Sequence, residues 1–282
     1  MKVLKRAASI LDAFLQVRSP LRLEQVCKLT SLPKTTAYRL IVALLESHYL
    51  IETEEGYWLG LRLLELGSLV EDRLDLKQQA APFLKQLRDE VNETVHLGML
   101  DDDLRVLYVD KLLPQRAVVA AMMSRVGVTA PMHCTALGKV MVAFRPEDEV
   151  RKCVELDGLD RYTEATITEG ERLLKHLREV RSQGYAVDNG EFEEPVRCVA
   201  APVWGRNGSV LGAVSVTMPE DRMPRPIAGS RVLRAVMQTA QAISEAMGYV
   251  CHPTNTSALW AKPQSPASSP DVVEGSGGAD PE

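Results

Sequence analysis

At 282 residues the chain is long enough for two units with their own cores, and its 45% hydrophobic and 25% charged residues match an ordinary globular protein. A net charge of −5 excludes a protein that coats nucleic acid indiscriminately, but the charge is unevenly spread. Residues 1–50 hold eight Lys/Arg and three Asp/Glu, a balance of +5, which leaves −10 for the remainder.

No stretch reaches the ~18 to 20 uninterrupted apolar residues that a membrane span needs. The N-terminus, MKVLKRAASILDAFLQV, is amphipathic and carries Asp12, so it reads as a first helix rather than a signal peptide. The five cysteines are far apart, with no CxxC pair. A disulfide framework or thiolate zinc site is not indicated, and a reducing cytoplasm is the expected setting.

Apolar residues recur at helical spacing from Ala7 to Val17, and Ser19-Pro20 stops that helix. A short helix follows over Leu23–Leu29, then a turn at Thr30-Ser31-Leu32, with Pro33 suited to the first turn of a third helix. Along that helix Ala37, Leu40, Ile41, Leu44 and Leu45 form an apolar stripe. The opposite side carries Lys34, Thr35, Tyr38 and Arg39, with Thr36 alongside. Tyr49-Leu50-Ile51 and Tyr57-Trp58-Leu59 flank Glu-Thr-Glu-Glu-Gly, a hairpin with Gly56 expected to supply the turn and Glu52, Glu54 and Glu55 making an acidic tip. Two helices and a hairpin in this order predict a winged helix-turn-helix.

Leu61–Leu76 reads as a connecting helix, and a second unit begins near Asp75 with the amphipathic helix DLKQQAAPFLKQLRDEV. Thr94–Leu112 predicts two strands around Asp101-Asp102-Asp103, and Ala117–Met123 a further apolar strand. Short helices are expected over Thr135–Phe144 and Glu147–Leu156. Thr168-Glu-Gly-Glu171 has capping-box spacing ahead of LLKHLREV, which Gly184 closes before the strand YAVD. VRCVAAPVW and SVLGAVSVTM, joined by Gly-Arg-Asn-Gly, predict a hairpin, and Arg231–Met247 a last helix. The fold class is therefore α+β. From Cys251 onward, five Pro, five Ser and three Gly in 32 residues leave little to bury, and a disordered tail is expected. The division is 1–60 for DNA binding, 61–76 for the linker, 77–250 for the second domain and 251–282 for the tail.

Three ordered blocks resemble IclR-type bacterial transcriptional regulators. They are EGYWLGLRLLELG after the helix-turn-helix, APMHCTALGKVMVAF at 130–144, and GYAVDNGEFEEPVRCVAAPVWGRNGSVLGAVSVTMP at 184–219. The resemblance spans about residues 4–248. It implies a GAF-like α/β effector-binding domain after the linker helix, and a homodimer or dimer of dimers on a pseudo-palindromic operator. Positions matching Asp188, Cys198, Ser215 and Thr217 line the effector site in the family's pattern. Gly127 and Val128 match backbone amides that grip a carboxylate in some members.

Reading the major groove requires side chains that reach base edges, and Arg39 is the first candidate, donating to guanine. Lys34, or the hydroxyls of Thr35 and Tyr38, would hold phosphates and set register, with Thr36 adjacent. Most polar helix stripes are simply solvated; the attached wing and linker are what favour DNA. Arg22 and Lys28 read first as solvated surface. In the second domain, strand alternation puts Ser215 and Thr217 on one side, with Cys198 on the paired strand and Val196 on its side. Small carboxylic or aromatic acids fit such a site, and the acidic NGEFEEP segment disfavours a large polyanion.

Catalysis is not expected. His133-Cys134 is a nucleophile pairing, but adjacent residues on an extended segment point apart. His96 and His133 with Asp188 or Cys198 could ligate a metal, although nothing in their spacing demands it, and no cofactor is called for. The alternative function is a GAF-fold cysteine-based reductase using Cys134 or Cys198, with an accessory DNA-binding module. A second domain that only assembles oligomers is a third.

Overall fold

The computed structural model describes residues 2–17, 19–71, 75–115 and 124–250. The expected strand over Ala117–Met123 falls outside them, as does the tail after residue 250.

Helix α1 (Lys2–Gln16) starts earlier than its apolar period, and its leading Val3 and Leu4 stay exposed. It packs with α2 (Leu23–Thr30) and α3 (Lys34–Glu46) around Ile10, Phe14, Val26, Ile41 and Leu44. Burying each large side chain of this set stabilises the unit by roughly 1.5–3 kcal/mol. Strands β1 (Leu50–Thr53) and β2 (Gly56–Leu59) form the wing, and Trp58 closes on Phe14 edge-to-face at 5.8 Å.

Gly56 does not supply the wing's turn. Thr53 pairs with Gly56, so Glu54 and Glu55 make the turn and Gly56 opens β2. Its φ is +143°, and a Cβ there would sit 2.8 Å from the Leu21 carbonyl. Leu21 in turn exchanges two backbone hydrogen bonds of 2.9 Å with Tyr57, adding a one-residue third strand. Glycine is required by this close approach, not by the turn.

Helix α4 (Leu61–Glu71) begins the connection, and α5 (Asp75–Val91) follows it. Leu76 already lies in the core of the second unit. That unit is built on β3 (Thr94–Leu100), β4 (Val106–Leu112), β5 (Thr129–Ala130), β6 (Ala186–Asp188), β7 (Val196–Trp204) and β8 (Val210–Pro219). They form one sheet in the order β5-β4-β3-β8-β7-β6, with each described pairing antiparallel.

Both faces are covered, which explains the near-continuous apolar runs of β7 and β8. On one side α5 and α9 (Arg231–Ala246) cover Val95, Leu97, Val199, Val214 and Val216. On the other, α6 (Ala136–Val142), α7 (Glu147–Asp157) and α8 (Gly170–Gln183) pack over Val106, Ala200 and Ala213. Thr135 caps α6 by accepting from the Gly138 amide at 3.1 Å, and Ser230 caps α9 in the same way. The expected capping box on α8 does not form. Glu169 is the N-cap without a side-chain bond, and the Thr168 hydroxyl instead lies 3.5 Å from Arg161 Nη2.

Candidate functional site

Two surfaces carry the side chains expected from the sequence to be functional. On α3, Lys34, Thr35, Tyr38 and Arg39 are exposed and Thr36 is half-buried, while Ala37, Ile41 and Leu44 point into the core. Tyr38 stays 52% exposed, although an aromatic ring of that size normally finds cover. Lys34 reaches Glu24 at 3.8 Å, an exposed pair that holds it only weakly. Arg22 leans toward the wing, its Nε 3.5 Å from the Glu55 carbonyl.

The second surface is internal. Between α6 and the sheet lies a cavity of about 30 Å³ that Asp188, Val196, Cys198, Ser215 and Thr217 all line. Register explains their convergence: Asp188 pairs with Cys198, Cys198 with Thr217, and Ser215 with His96 on the next strand. Five of the seven expected effector residues therefore meet. Gly127 and Val128 do not. They are absent from the lining, and their amides already donate to the carbonyls of Tyr108 at 2.9 Å and Arg125 at 3.1 Å. An amide so engaged cannot also grip a carboxylate without breaking that bond.

Sequence reading missed His96, Tyr108 and Ser124 as wall residues, together with Thr135 and Phe192. His96 was legible in principle, as a single polar residue inside the apolar strand Thr94–Leu100. Behind the cavity, Lys139 of α6 is fully buried and pairs with Glu191, while its Nζ donates to the Val187 carbonyl at 2.7 Å. The Glu191 amide donates to Asp188 Oδ1 at 2.7 Å, so this pair fixes the carboxyl that faces the cavity.

Burial sets the charge state of the wall. It pushes the Asp188 carboxyl up to about 7, against the pull of the Glu191 amide and Lys139. It drives the His96 imidazole down to about 3, with Lys111 adding to the effect. Burial also pushes up the Cys198 thiol and the Tyr108 phenol. The Cys134 thiol is raised for the same reason, so neither expected cysteine nucleophile is a thiolate at neutral pH. His133 lies 2.9 Å from the Asp160 carbonyl and lines a separate depression of about 430 Å³, away from His96. Among the described residues no cluster of three metal-ligating side chains occurs.

The profile for the IclR helix-turn-helix domain matches residues 3–52, and that for the bacterial transcriptional regulator IclR C-terminal domain matches residues 69–245. The chain belongs to the IclR family. This IclR regulator is 35% identical to the HTH-type transcriptional regulator XynR of Escherichia coli K12, over 87% of the chain and 96% of XynR. To KdgR of the same organism it is 38% identical, over 78% of the chain and 83% of KdgR. An IclR homolog of Microbacterium hydrocarbonoxydans, solved in complex with 4-hydroxybenzoate, shares the fold with a TM-score of 0.73. It is 24% identical and aligns over 87% of this chain and 99% of its own. The IclR regulator is thus a DNA-binding regulator of transcription. Among its described residues no helix is long and apolar enough to cross a membrane.

Proposed function

We propose that this IclR regulator binds a pseudo-palindromic operator as a homodimer or dimer of dimers in the cytoplasm, and that a small carboxylic or aromatic acid in the α6 cavity modulates the binding. Residues 1–60 would hold the DNA, 61–76 link, and 77–250 take the effector. Arg39 reads a base edge, while Lys34, Thr35, Thr36 and Tyr38 set register on the backbone. The observation that carries effector control is the meeting of Asp188, Val196, Cys198, Ser215 and Thr217 at one cavity, contributed by three neighbouring strands.

The cavity, at about 30 Å³, admits a water molecule or two and nothing larger. An acid must therefore bind a widened form more tightly than the form described here. That difference in affinity is what coupling to a second site requires. The complex of the Microbacterium protein with 4-hydroxybenzoate supports the same class of ligand.

A gel-shift titration on the protein's own upstream DNA against scrambled DNA, with a panel of small carboxylic acids, tests this reading. One acid should change specific affinity by about 5- to 150-fold. Specific binding that no small molecule alters would remove effector control; absence of specific binding to any genomic fragment would remove the operator.

A further inference from the structure

The polar side chains along the cavity floor are not independent. Lys111 Nζ lies 3.0 Å from Ser124 Oγ, and Ser124 Oγ lies 2.9 Å from His96 Nε2. His96 Nδ1 is 3.3 Å from Thr217 Oγ1, which is 3.2 Å from Cys198 Sγ. Cys198 faces Asp188 across the β6–β7 ladder, its direct partner in the strand register. Five groups on neighbouring strands, with Ser124 from the loop before β5, thus form one row from an ammonium to a carboxyl.

We infer that this row runs in a single sense, each group donating toward Asp188, so that the row offers acceptors and selects an effector by a hydroxyl that donates to it. The inference rests on the effector reading of the same cavity and adds the part of the ligand that faces the sheet.

An ammonium only donates, and at the other end the Thr217 hydroxyl donates to Cys198 Sγ, so the two ends demand the same direction. A neutral imidazole has one donor and one acceptor nitrogen, and burial keeps His96 neutral. Two tautomers are open to it. With Ser124 O–H donating to Nε2, Nδ1–H donates to Thr217, Thr217 to Cys198, and Cys198 to Asp188. Every dipole then points its positive end away from Lys111 and toward the carboxyl. In the opposite tautomer the central dipoles oppose the field of both ends.

The consequence is chemical. Once Ser124 and Thr217 commit their single protons within the row, only their lone pairs remain for a ligand. Asp188 adds further acceptors, no Lys or Arg is among the described residues that line the cavity, and Ser215 and Tyr108 bring hydroxyls to the lining that lie outside the row. A ligand hydroxyl pointing at this floor completes bonds. A carboxylate oxygen against the row itself would meet lone pairs and a second carboxyl, so an acid would bind with its hydroxyl on the row and its carboxylate turned away from it.

The direct test is the tautomer. In the full-length protein with ¹⁵N-labelled histidine, His96 is assigned by its loss in His96→Gln, and its ring nitrogens are read by long-range ¹H–¹⁵N correlation. A protonated Nδ1 and bare Nε2, unchanged across neutral pH, is expected; a protonated Nε2, or a ring titrating near neutrality, overturns the row. Lys111→Met should convert the ring to a mixture of tautomers, which a merely structural lysine would not do. An unchanged pure tautomer in that variant shows that Lys111 does not orient the row.

The ligand class is tested with 4-hydroxybenzoate and benzoate at millimolar concentration, by calorimetry and by the same ring signals. The hydroxylated member should bind at least about tenfold more tightly and move the His96 resonances. Equal or tighter binding of benzoate overturns the hydroxyl-down assignment. If neither binds, the assignment fails together with the effector reading, while the tautomer still reports on the row itself.

Discussion

Arg39 leaves α3 into solvent two turns after Pro33, on the face that the apolar stripe does not use. If it reads a guanine, Arg39→Ala should cost about 1–3 kcal/mol of specific affinity and relax discrimination at one operator position. Unchanged operator discrimination in a competition gel shift would remove it from base reading. In the cavity, Ser215→Ala should leave operator affinity intact and blunt the metabolite response; a normal dose–response curve would exclude Ser215 from the pocket. Asp188 makes a prediction about pH. Its folded carboxyl is raised from 3.8 to about 7, so the native state holds this proton more tightly than the unfolded chain does. Stability assigned to this group therefore falls as pH climbs from the unfolded value to about 7, and is level above it. Asp188→Asn should abolish that slope and be more stable than wild type above neutrality by roughly 1–3 kcal/mol, read from urea midpoints across pH. Residue types on α3 and strand parity on β8 were legible because local period decides them. His96, Tyr108 and Ser124 were not, because they join the site only through pairings between distant segments.

At the scale of the element, α6 decides the shape of the cavity. Its N-terminus is pressed against the Met132 backbone, where a Cβ on Gly138 would come within 2.4 Å of the Met132 carbonyl oxygen. Its one charged residue, Lys139, has no exposure and is held by Glu191 and the Val187 carbonyl. The same segment is tied from its other side, the Thr163 hydroxyl donating to the Gly190 carbonyl and that of Thr166 to the Glu191 carbonyl, each at 2.7 Å. Lys139→Met leaves Glu191 buried without its partner and should cost about 3–5 kcal/mol. Pairing it with Glu191→Leu should recover most of that loss, because removing both charges also removes their desolvation cost. A double variant no more stable than Lys139→Met in denaturant unfolding would contradict the pair as the source. Helix positions follow closely from apolar period and from Gly184, which takes a left-handed φ of 77° at the end of α8. The wing's turn and the start of α8 do not. In the first, the Leu21 backbone claims Gly56; in the second, Thr168 has a side-chain partner outside its own helix.

For the whole molecule, the decisive feature is a sheet covered on both faces, with the cavity on the α6 side and the α5–α9 layer opposite. The tail's sequence is poor in large apolar residues. Deleting residues 252–282 should leave the thermal midpoint and operator affinity unchanged; loss of soluble protein or a lowered midpoint would show that the tail packs. Sequence by itself determined the two-part organisation, the recognition helix and its polar face, and the hairpin that carries Cys198, Ser215 and Thr217. Each of these follows from the spacing of neighbouring residues along one element. Only tertiary structure decided that Asp188 and His96 meet across strands, that Gly127 and Val128 face elsewhere, and that Lys139 is buried against Glu191. Those outcomes depend on strand order and on partners 48 to 121 residues apart, which chain-local periodicity does not encode.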